Sequence, residues 1–117
     1  IYIGSRLIEE GRVSHRFVAA VGRHLTKTKF DDIGKTVAAV GRIDGFDDWQ
    51  SGDQEDLMLS FINARGHFPT SGRESVYWTN KPFGSDGAWA LGFENGNVTA
   101  WNRGNELAVL LVRSSAT

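Results

Sequence analysis

The alternation of apolar and polar residues predicts two β-strands at the start of the chain. Residues 1–8 and 13–21 are rich in β-branched and aromatic residues, and a short polar segment with one glycine separates them. Gly11 can adopt the positive φ that a tight reversal requires. The pattern therefore predicts an N-terminal β-hairpin.

A helical period replaces this alternation in the next segment. Apolar side chains recur at i, i+4 and i+7 within residues 30–40, which places them on one face of a helix. Asp31 or Asp32 can cap the start of this helix, and Gly41 can end it. We therefore predict a first helix over residues 30–40.

A second helix is predicted to begin directly after Asp53. Asp53 is a good N-cap residue, and Asp56 occupies the position that completes a capping box. Gly66 is expected to stop the helix. The apolar stripe between these two signals contains Leu57, Met58, Phe61 and Ile62.

The Asn-Gly pair at 95–96 is a strong hairpin signal. It separates two β-rich runs, residues 89–94 and 97–101. A two-residue loop at this point would pair Phe93 with Val98 across the two strands. The sequence therefore predicts a tight hairpin in the C-terminal half of the chain.

Strand alternation assigns the side chains of this hairpin to two faces. Trp101 is expected on the face opposite the core residues, beside small and polar neighbours. The residues expected in the core are Trp89, Leu91, Phe93 and Val98.

Two further strands complete the pattern. Residues 76–79 form a short β-rich run, and residues 107–112 are an uninterrupted apolar run of the kind that occupies the buried middle of a sheet. Strands therefore precede and follow a block of helices. This order predicts the α+β class, with helices packed on an antiparallel sheet.

Composition narrows the class of protein. The 117 residues, 40% of them hydrophobic, suit a single domain spanning 1–117. The net charge of −1 gives no support to a nucleic-acid partner, and no run of ~20 apolar residues predicts a membrane span. The absence of cysteine excludes disulfides and thiolate chemistry. Because the chain begins at Ile1 without a methionine, we expect the C-terminal part of a longer protein or a processed chain.

Six short segments of the chain recur in a characteristic order. They are GFDDW at 45–49, EDL at 55–57, YWT at 77–79, AWALGF at 88–93, NGNV at 95–98 and VR at 112–113. Their order and spacing resemble those of C-type-lectin-like domains in bacterial surface adhesins, paralogous outer-surface proteins and phage tail proteins. Because the first hairpin also fits, the resemblance covers nearly the whole chain.

Two positions depart from the family pattern. The Leu-Pro of the family's D-W-R-L-P-T turn is Ser51-Gly52 here, so a looser turn is expected before the second helix. The first arginine of the closing V-R-P-V-R motif falls on Leu110, so no role of that arginine can be transferred.

The resemblance implies a fold, a location and a kind of activity. It implies a C-type-lectin-like fold of two helices on an antiparallel sheet, with the N- and C-terminal strands near each other. Trp49, Trp78 and Trp89 would hold this scaffold together. The family implies adhesion or receptor recognition outside the cell, on a bacterial surface or a phage virion. Its ligands include sulfated glycosaminoglycans, and some members are homotrimers.

Metal and cofactor chemistry is not favoured by the motifs. Asp44, Asp47 and Asp48 cluster in one turn and could offer oxygen ligands to Ca²⁺. Their spacing is not that of an EF-hand loop, and turn or cap hydrogen bonds explain them more simply. The Trp-Asn-Arg triplet at 101–103 only half matches the Trp-Asn-Asp of calcium-dependent sugar-binding lectins, and Glu-Pro-Asn is absent. We therefore predict no metal and no cofactor.

Catalysis is not favoured either. His15, His24 and His67 are scattered along the chain. The chain contains neither a Gly-x-Ser-x-Gly elbow nor a His-Glu-x-x-His pair. The sequence therefore predicts a protein that is not an enzyme.

Polar and aromatic residues in two loops are the candidate ligand-binding surface. Trp supplies apolar area, Arg binds carboxylate or sulfate in bidentate fashion, and Asn both donates and accepts hydrogen bonds. The alternative is that Trp101 packs as core and the other residues are ordinary loop residues. The candidates are Asn80, Lys81 and Asp86, with Phe83 beside them, in one loop, and Trp101, Asn102, Arg103 and Asn105 in the other.

These observations predict a non-catalytic recognition module of a surface adhesin or phage tail protein. Its partner would be a cell-surface glycan or a protein receptor. The alternative is a structural or trimerising tip domain of a fibre or virion without a ligand of its own.

Overall fold

Two β-sheets and two α-helices build an α+β architecture, as predicted. The computed structural model describes residues 1–116, apart from the side chains of Val21 and Ala116. Within that range the helices are α1 (Ile33–Ala38) and α2 (Gln54–Ala64). The strands are β1 (Tyr2–Leu7), β2 (Val13–Val18), β3 (Leu25–Thr28), β4 (Gln50–Ser51), β5 (Val76–Phe83), β6 (Gly87–Gly92), β7 (Val98–Asn102), β8 (Leu107–Val109) and β9 (Leu111–Ala116).

The first sheet joins the two ends of the chain. Its strand order is β1-β2-β9-β4, and every neighbouring pair is antiparallel. The predicted proximity of the N- and C-terminal strands is confirmed, although β9 pairs with β2 and leaves β1 at the outer edge.

The second sheet has the order β3-β8-β5-β6-β7 and is mixed, because β5 and β8 run parallel. Residues 107–112 were predicted as one strand, but the run divides at Leu110 into β8 and β9. β8 lies between β3 and β5 in the second sheet, and β9 lies between β2 and β4 in the first. One apolar segment, buried throughout, therefore supplies an interior strand to both sheets.

Helix α2 begins where the sequence predicts. The Asp56 N–H donates to Asp53 Oδ1 at 3.0 Å, and the Asp53 N–H donates to Asp56 Oδ2 at 3.2 Å. These two bonds form the expected capping box. The helix ends at Ala64, slightly before Gly66, which lies in a following 3₁₀ turn. No helix within residues 1–116 combines the length and apolar character needed to cross a bilayer.

Helix α1 is shorter than the predicted 30–40. The first part of that segment forms a 3₁₀ turn, so the chain arrives at the α-helix already in a helical conformation. Asp32 occupies the N-cap position with φ −98° and ψ 0°, and its side chain makes no capping hydrogen bond. The predicted cap is therefore wrong, because side-chain capping favours an extended N-cap residue.

The C-terminal hairpin has a longer loop than predicted. Leu91, not Phe93, pairs with Val98, and five residues, 93–97, connect the two strands. Phe93 leaves the ladder because its N–H donates to the Ser75 carbonyl at 2.8 Å and its ring stacks on Phe68 at a centroid distance of 4.3 Å. The register moves by two residues, so the faces stay as predicted.

Two of the three scaffold tryptophans are buried. Trp78 is completely buried and donates from Nε1 to the Thr28 carbonyl at 2.8 Å. Trp49 is buried and donates to the Phe46 carbonyl at 3.0 Å. Trp89 was predicted in the core, but it is only half-buried, because its ring is covered by Phe83, which is itself exposed at the surface.

The turn at Gly52 is held tightly, contrary to the looser turn expected. The Gly52 N–H donates to the Leu110 carbonyl at 2.8 Å, and the residue is buried. A Cβ atom added at Gly52 would lie 2.6 Å from Leu110 Cδ2 and 3.1 Å from Leu110 Cβ. Gly52 therefore allows the start of α2 to approach Leu110, the residue that links β8 and β9, closely.

Replacing Gly52 with alanine is expected to destabilise the fold by about 1–3 kcal/mol, because Leu110 cannot move freely in a packed core. The matched control is Gly34→Ala in α1, where an added Cβ meets nothing within 4 Å. That change is expected to stabilise by up to about 1 kcal/mol through helix propensity. Urea unfolding of both variants checks the prediction, and a neutral Gly52→Ala would contradict it.

Candidate recognition surface

An open groove lies on the second sheet beside Trp101. Its volume is about 410 Å³. We call it the Trp101 groove, and its chemistry-bearing residues are Arg73, Glu94, Asn95, Asn97, Thr99 and Trp101. They come from the turn before β5, the β6–β7 loop and strand β7.

Trp101 is half-buried. The sequence left open whether it packs in the core or faces a ligand, and the indole has one part in each environment. It pairs with Ala88 on β6, and the small side chains of Ala88 and Ala90 leave room for the indole on their face of the sheet. The ring packs against the core cluster that contains Trp78. Its Nε1 donates to Thr99 Oγ1 at 3.2 Å. The indole is therefore fixed in place while part of it lines the groove.

Arg73 is the cation of the groove and was not predicted from the sequence. It begins a 3₁₀ turn, directly after Gly72 with φ +75°. Its guanidinium carbon lies 6.0 Å from the Trp101 ring centroid. The side chain is exposed, and within residues 1–116 it forms no ion pair. Arg73 is therefore available to a carboxylate or sulfate.

The β6–β7 loop provides the polar wall of the groove. Asn95 Oδ1 accepts the Asn97 N–H at 3.0 Å, and the Gly96 N–H donates to the Gly92 carbonyl at 2.8 Å. Gly96 adopts φ +77°, so the loop uses the glycine that marked it in the sequence. These bonds hold the loop while the side chains of Glu94 and Asn97 stay exposed.

A second depression, of about 390 Å³, lies on the other side of Trp101. Asp86, Trp101 and Asn102 all line it, so the structure brings together three of the predicted residues. Phe83 also lines it and is 52% exposed. Trp101 is therefore the wall between two concave surfaces.

Arg103 is largely occupied by structural contacts. Its Nε donates to the Gly87 carbonyl at 2.9 Å and its Nη2 to the Gly84 carbonyl at 2.8 Å. Its Nη1 forms an ion pair with Asp31 at 3.3 Å, and the guanidinium lies 5.1 Å from the Phe30 ring centroid. Arg103 thus ties the β5–β6 turn to the segment before α1, which leaves Arg73 as the freer cation near Trp101.

Asn102 and Asn105 close the turn after β7. Asn102 Oδ1 accepts the Gly104 N–H at 2.8 Å. The Asn102 carbonyl accepts from the N–H of Asn105 at 3.1 Å and from its Nδ2 at 3.0 Å. The first of these bonds forms an Asx turn and the other two close the turn through the Asn102 carbonyl, so both side chains position the loop.

Asn80 and Lys81 do not join the surface around Trp101. Asn80 has φ +68° in a bulge of β5, and its Nδ2 donates to Ser51 Oγ at 2.8 Å, which links the two sheets. Both residues line a separate depression of about 340 Å³ with Arg6 and Glu55. The residues predicted to form one loop at 80–86 are therefore divided, with Asp86 beside Trp101 and with Asn80 and Lys81 elsewhere.

Asp48, His24 and His15, which were considered as metal ligands or catalytic groups, contact other side chains of the fold. Asp48 pairs with Arg113 at 3.0 Å, which is a long-range ion pair and not the turn or cap hydrogen bond that the sequence suggested. His24 is buried against Tyr77. His15 Nδ1 lies 2.8 Å from Ser5 Oγ on the outer face of the first sheet. A catalytic serine would need its base held by a further group, but here the contacts continue from Ser5 to the Tyr2 hydroxyl.

No protein-family model matches the chain, and a search of curated proteins finds no match. The C-type-lectin-like family therefore stays a prediction from the sequence motifs.

Proposed function

We propose that the chain is a non-catalytic recognition module that binds a cell-surface glycan in the Trp101 groove. The observation that carries the proposal is an anchored, half-buried indole beside an exposed arginine that has no ion pair in the described residues. The proposed setting is extracellular, on a bacterial surface or a phage virion, and the proposed fold family is the C-type-lectin-like one.

The chemistry of the groove suits a sugar chain. A pyranose ring has an apolar C–H face that can stack on the indole of Trp101. Tryptophan suits a contact that is apolar on one side and exposed to water on the other. The sugar hydroxyls can donate to Glu94 and exchange hydrogen bonds with the amide of Asn97. Arg73 can donate hydrogen bonds to a carboxylate or sulfate group of an acidic sugar. An open groove, unlike a closed cavity, admits an internal segment of a polymer.

Two substitutions test the proposal on any ligand that a glycan array identifies. Trp101→Ala and Arg73→Ala are each expected to weaken binding about ten-fold or more, as central aromatic and arginine contacts do. Titration calorimetry on the purified glycan gives the affinity. Loss of cell binding after glycosidase treatment would separate a glycan ligand from a protein receptor.

The matched controls are Tyr2→Ala and Arg12→Ala. Tyr2 is 53% exposed on strand β1 of the first sheet, and Arg12 is exposed in the β1–β2 connection. Both variants are expected to bind as the wild type does. Equal weakening by test and control variants, or binding that neither test variant changes, would refute the groove as the site.

A further inference from the structure

The four sheet edges differ in how they are protected against pairing with another strand. β1 has a bulge between Tyr2 and Gly4, and it carries Arg6. β3 has a bulge and holds Lys27 at φ +53°. β4 is only two residues long. Bulges, charges and short length are the usual devices that prevent edge-to-edge association.

Strand β7 has none of these devices. Its five residues, Val98–Asn102, include no charged residue and no proline. Its pairing with β6 proceeds without a register shift. It ends the second sheet, so one side of its backbone meets no other strand within residues 1–116.

The hydrogen-bond alternation shows which backbone groups face outward. The Gly92 N–H donates to the Asn97 carbonyl and the Arg103 N–H to the Asp86 carbonyl, both in the β6–β7 register. Since antiparallel pairs alternate, Val98, Ala100 and Asn102 turn their N–H and C=O groups away from β6. The Asn102 carbonyl already accepts from Asn105. Val98 and Ala100 therefore present a complete set of free donors and acceptors.

We infer that two copies of this chain pair antiparallel through β7 into one continuous ten-stranded sheet. A two-fold axis at Thr99 places Val98 opposite Ala100 of the second copy, so the residues with free backbone groups satisfy each other. Thr99 meets Thr99 of the second copy, which is a favourable cross-strand pair. The paired segments bring no like charges together.

The side chains next to the edge suit the same occupant. Trp89 lies beside Ala100 on the neighbouring strand and is half-buried. Phe83 packs on Trp89 at a centroid distance of 4.8 Å and stays 52% exposed. Val98 and Ala100 of a second copy would extend this apolar row across the axis. An isologous contact of this kind closes at two copies.

The pairing has a consequence for recognition. A two-fold axis perpendicular to the sheet leaves the same face of both copies on the same side. Two Trp101 grooves would then flank the axis on one surface, and a polymeric ligand could engage both. The dimer can be detected by its mass without any glycan, so its test does not depend on the proposed glycan binding.

Sedimentation velocity over a concentration series tests the inference on the full chain. The wild type is expected to dimerise, and Ala100→Lys is expected to stay monomeric, because an edge lysine opposes strand pairing. The control is Leu7→Lys, at an apolar residue that is 81% exposed on β1. That variant is expected to dimerise as the wild type does. A monomeric wild type, or a dimer broken by Leu7→Lys and kept by Ala100→Lys, would overturn the inference.

Amide hydrogen exchange gives a readout that needs no variant. In the dimer the outward N–H groups of Val98 and Ala100 become hydrogen-bonded, so their protection is expected to rise with protein concentration. The N–H groups of Thr99 and Trp101, which face β6 in the monomer, serve as the internal reference. Concentration-independent exchange at Val98 and Ala100 would overturn the inference.

Discussion

Asp56→Asn is expected to destabilise the protein by about 3 kcal/mol or more, the scale for breaking one side of a buried ion pair. The Asp56 side chain is 1% exposed and accepts from Arg16 Nε at 2.8 Å and from Arg16 Nη2 at 2.9 Å. The same carboxylate completes the capping box of α2 through Asp53. An amide in its place would leave the partly buried Arg16 guanidinium without its charge partner.

The control for this prediction is Glu55→Gln, one residue away. Glu55 pairs with Arg6 at 3.0 Å, but its side chain is 58% exposed. Water screens such a pair, so the expected loss is below about 1 kcal/mol. Chemical denaturation of both variants gives the two free energies of unfolding. Similar losses in both would show that burial does not set the strength of the Asp56 pair.

This network explains why part of the fold could be predicted from sequence and part could not. The capping box of α2 lies within four residues, so its signal is local, and it was found. Arg6 and Arg16 lie far from Asp56 in the sequence, and nothing near them indicates their partner. The sequence therefore predicts the start of the helix but not the charges that connect it to the first hairpin.

The same distinction applies to the strands. The apolar run at 107–112 was correctly placed in the sheet interior, because burial on both faces produces a continuous apolar pattern. Its division at Leu110 depends on which strands pair with each half, and that information lies elsewhere in the chain. β3 was missed for a related reason, since three of its four residues are polar and it contains a bulge.

The candidate surface also combines a local feature that the sequence predicts with a long-range contact that it does not. Trp101 was placed on the correct face because hairpin alternation is local. Arg73 lies on a separate turn, and only the fold brings its guanidinium to the indole. Arg103 was selected for its chemistry, but tertiary contacts occupy three of its donor positions. The sequence identifies an arginine in a loop as a candidate, but its tertiary contacts determine whether its donors are available to a ligand.

His24 is expected to make the stability of the protein depend on pH between about 6.5 and 4. Burial lowers the pKa of His24 from 6.5 to about 4. The imidazole lies among aromatic rings, with Nδ1 3.2 Å from the Tyr77 hydroxyl and the Phe68 ring at 5.7 Å. These surroundings favour the neutral ring, and the backbone hydrogen bond at Ala19, which favours the charged ring, only partly offsets the effect of burial.

The sign follows from proton linkage. Between pH 6.5 and 4 the unfolded chain binds a proton at His24 that the folded chain does not, so acidification favours unfolding. The stability is complete above pH 6.5, falls by about 3 kcal/mol as the pH drops to 4, and changes no further through this group below that. Hydrogen bonds from Arg113 lower the pKa of Asp48 below its ordinary value of 3.8, so its contribution is lost only in more acidic solution.

Unfolding free energies measured by urea titration from pH 7.5 to 4 check this expectation. The variant His24→Phe keeps an aromatic ring beside Phe68 and Tyr77 but cannot take up a proton, so its stability is expected to be nearly flat across the window. His67→Phe, at an exposed position in the turn after α2, is the control and should retain the wild-type slope. If His24→Phe retained that slope and His67→Phe lost it, the pH dependence would arise outside the core around Tyr77. That result would mean that folding does not change the protonation of His24, although its aromatic surroundings offer little to stabilise a charged ring.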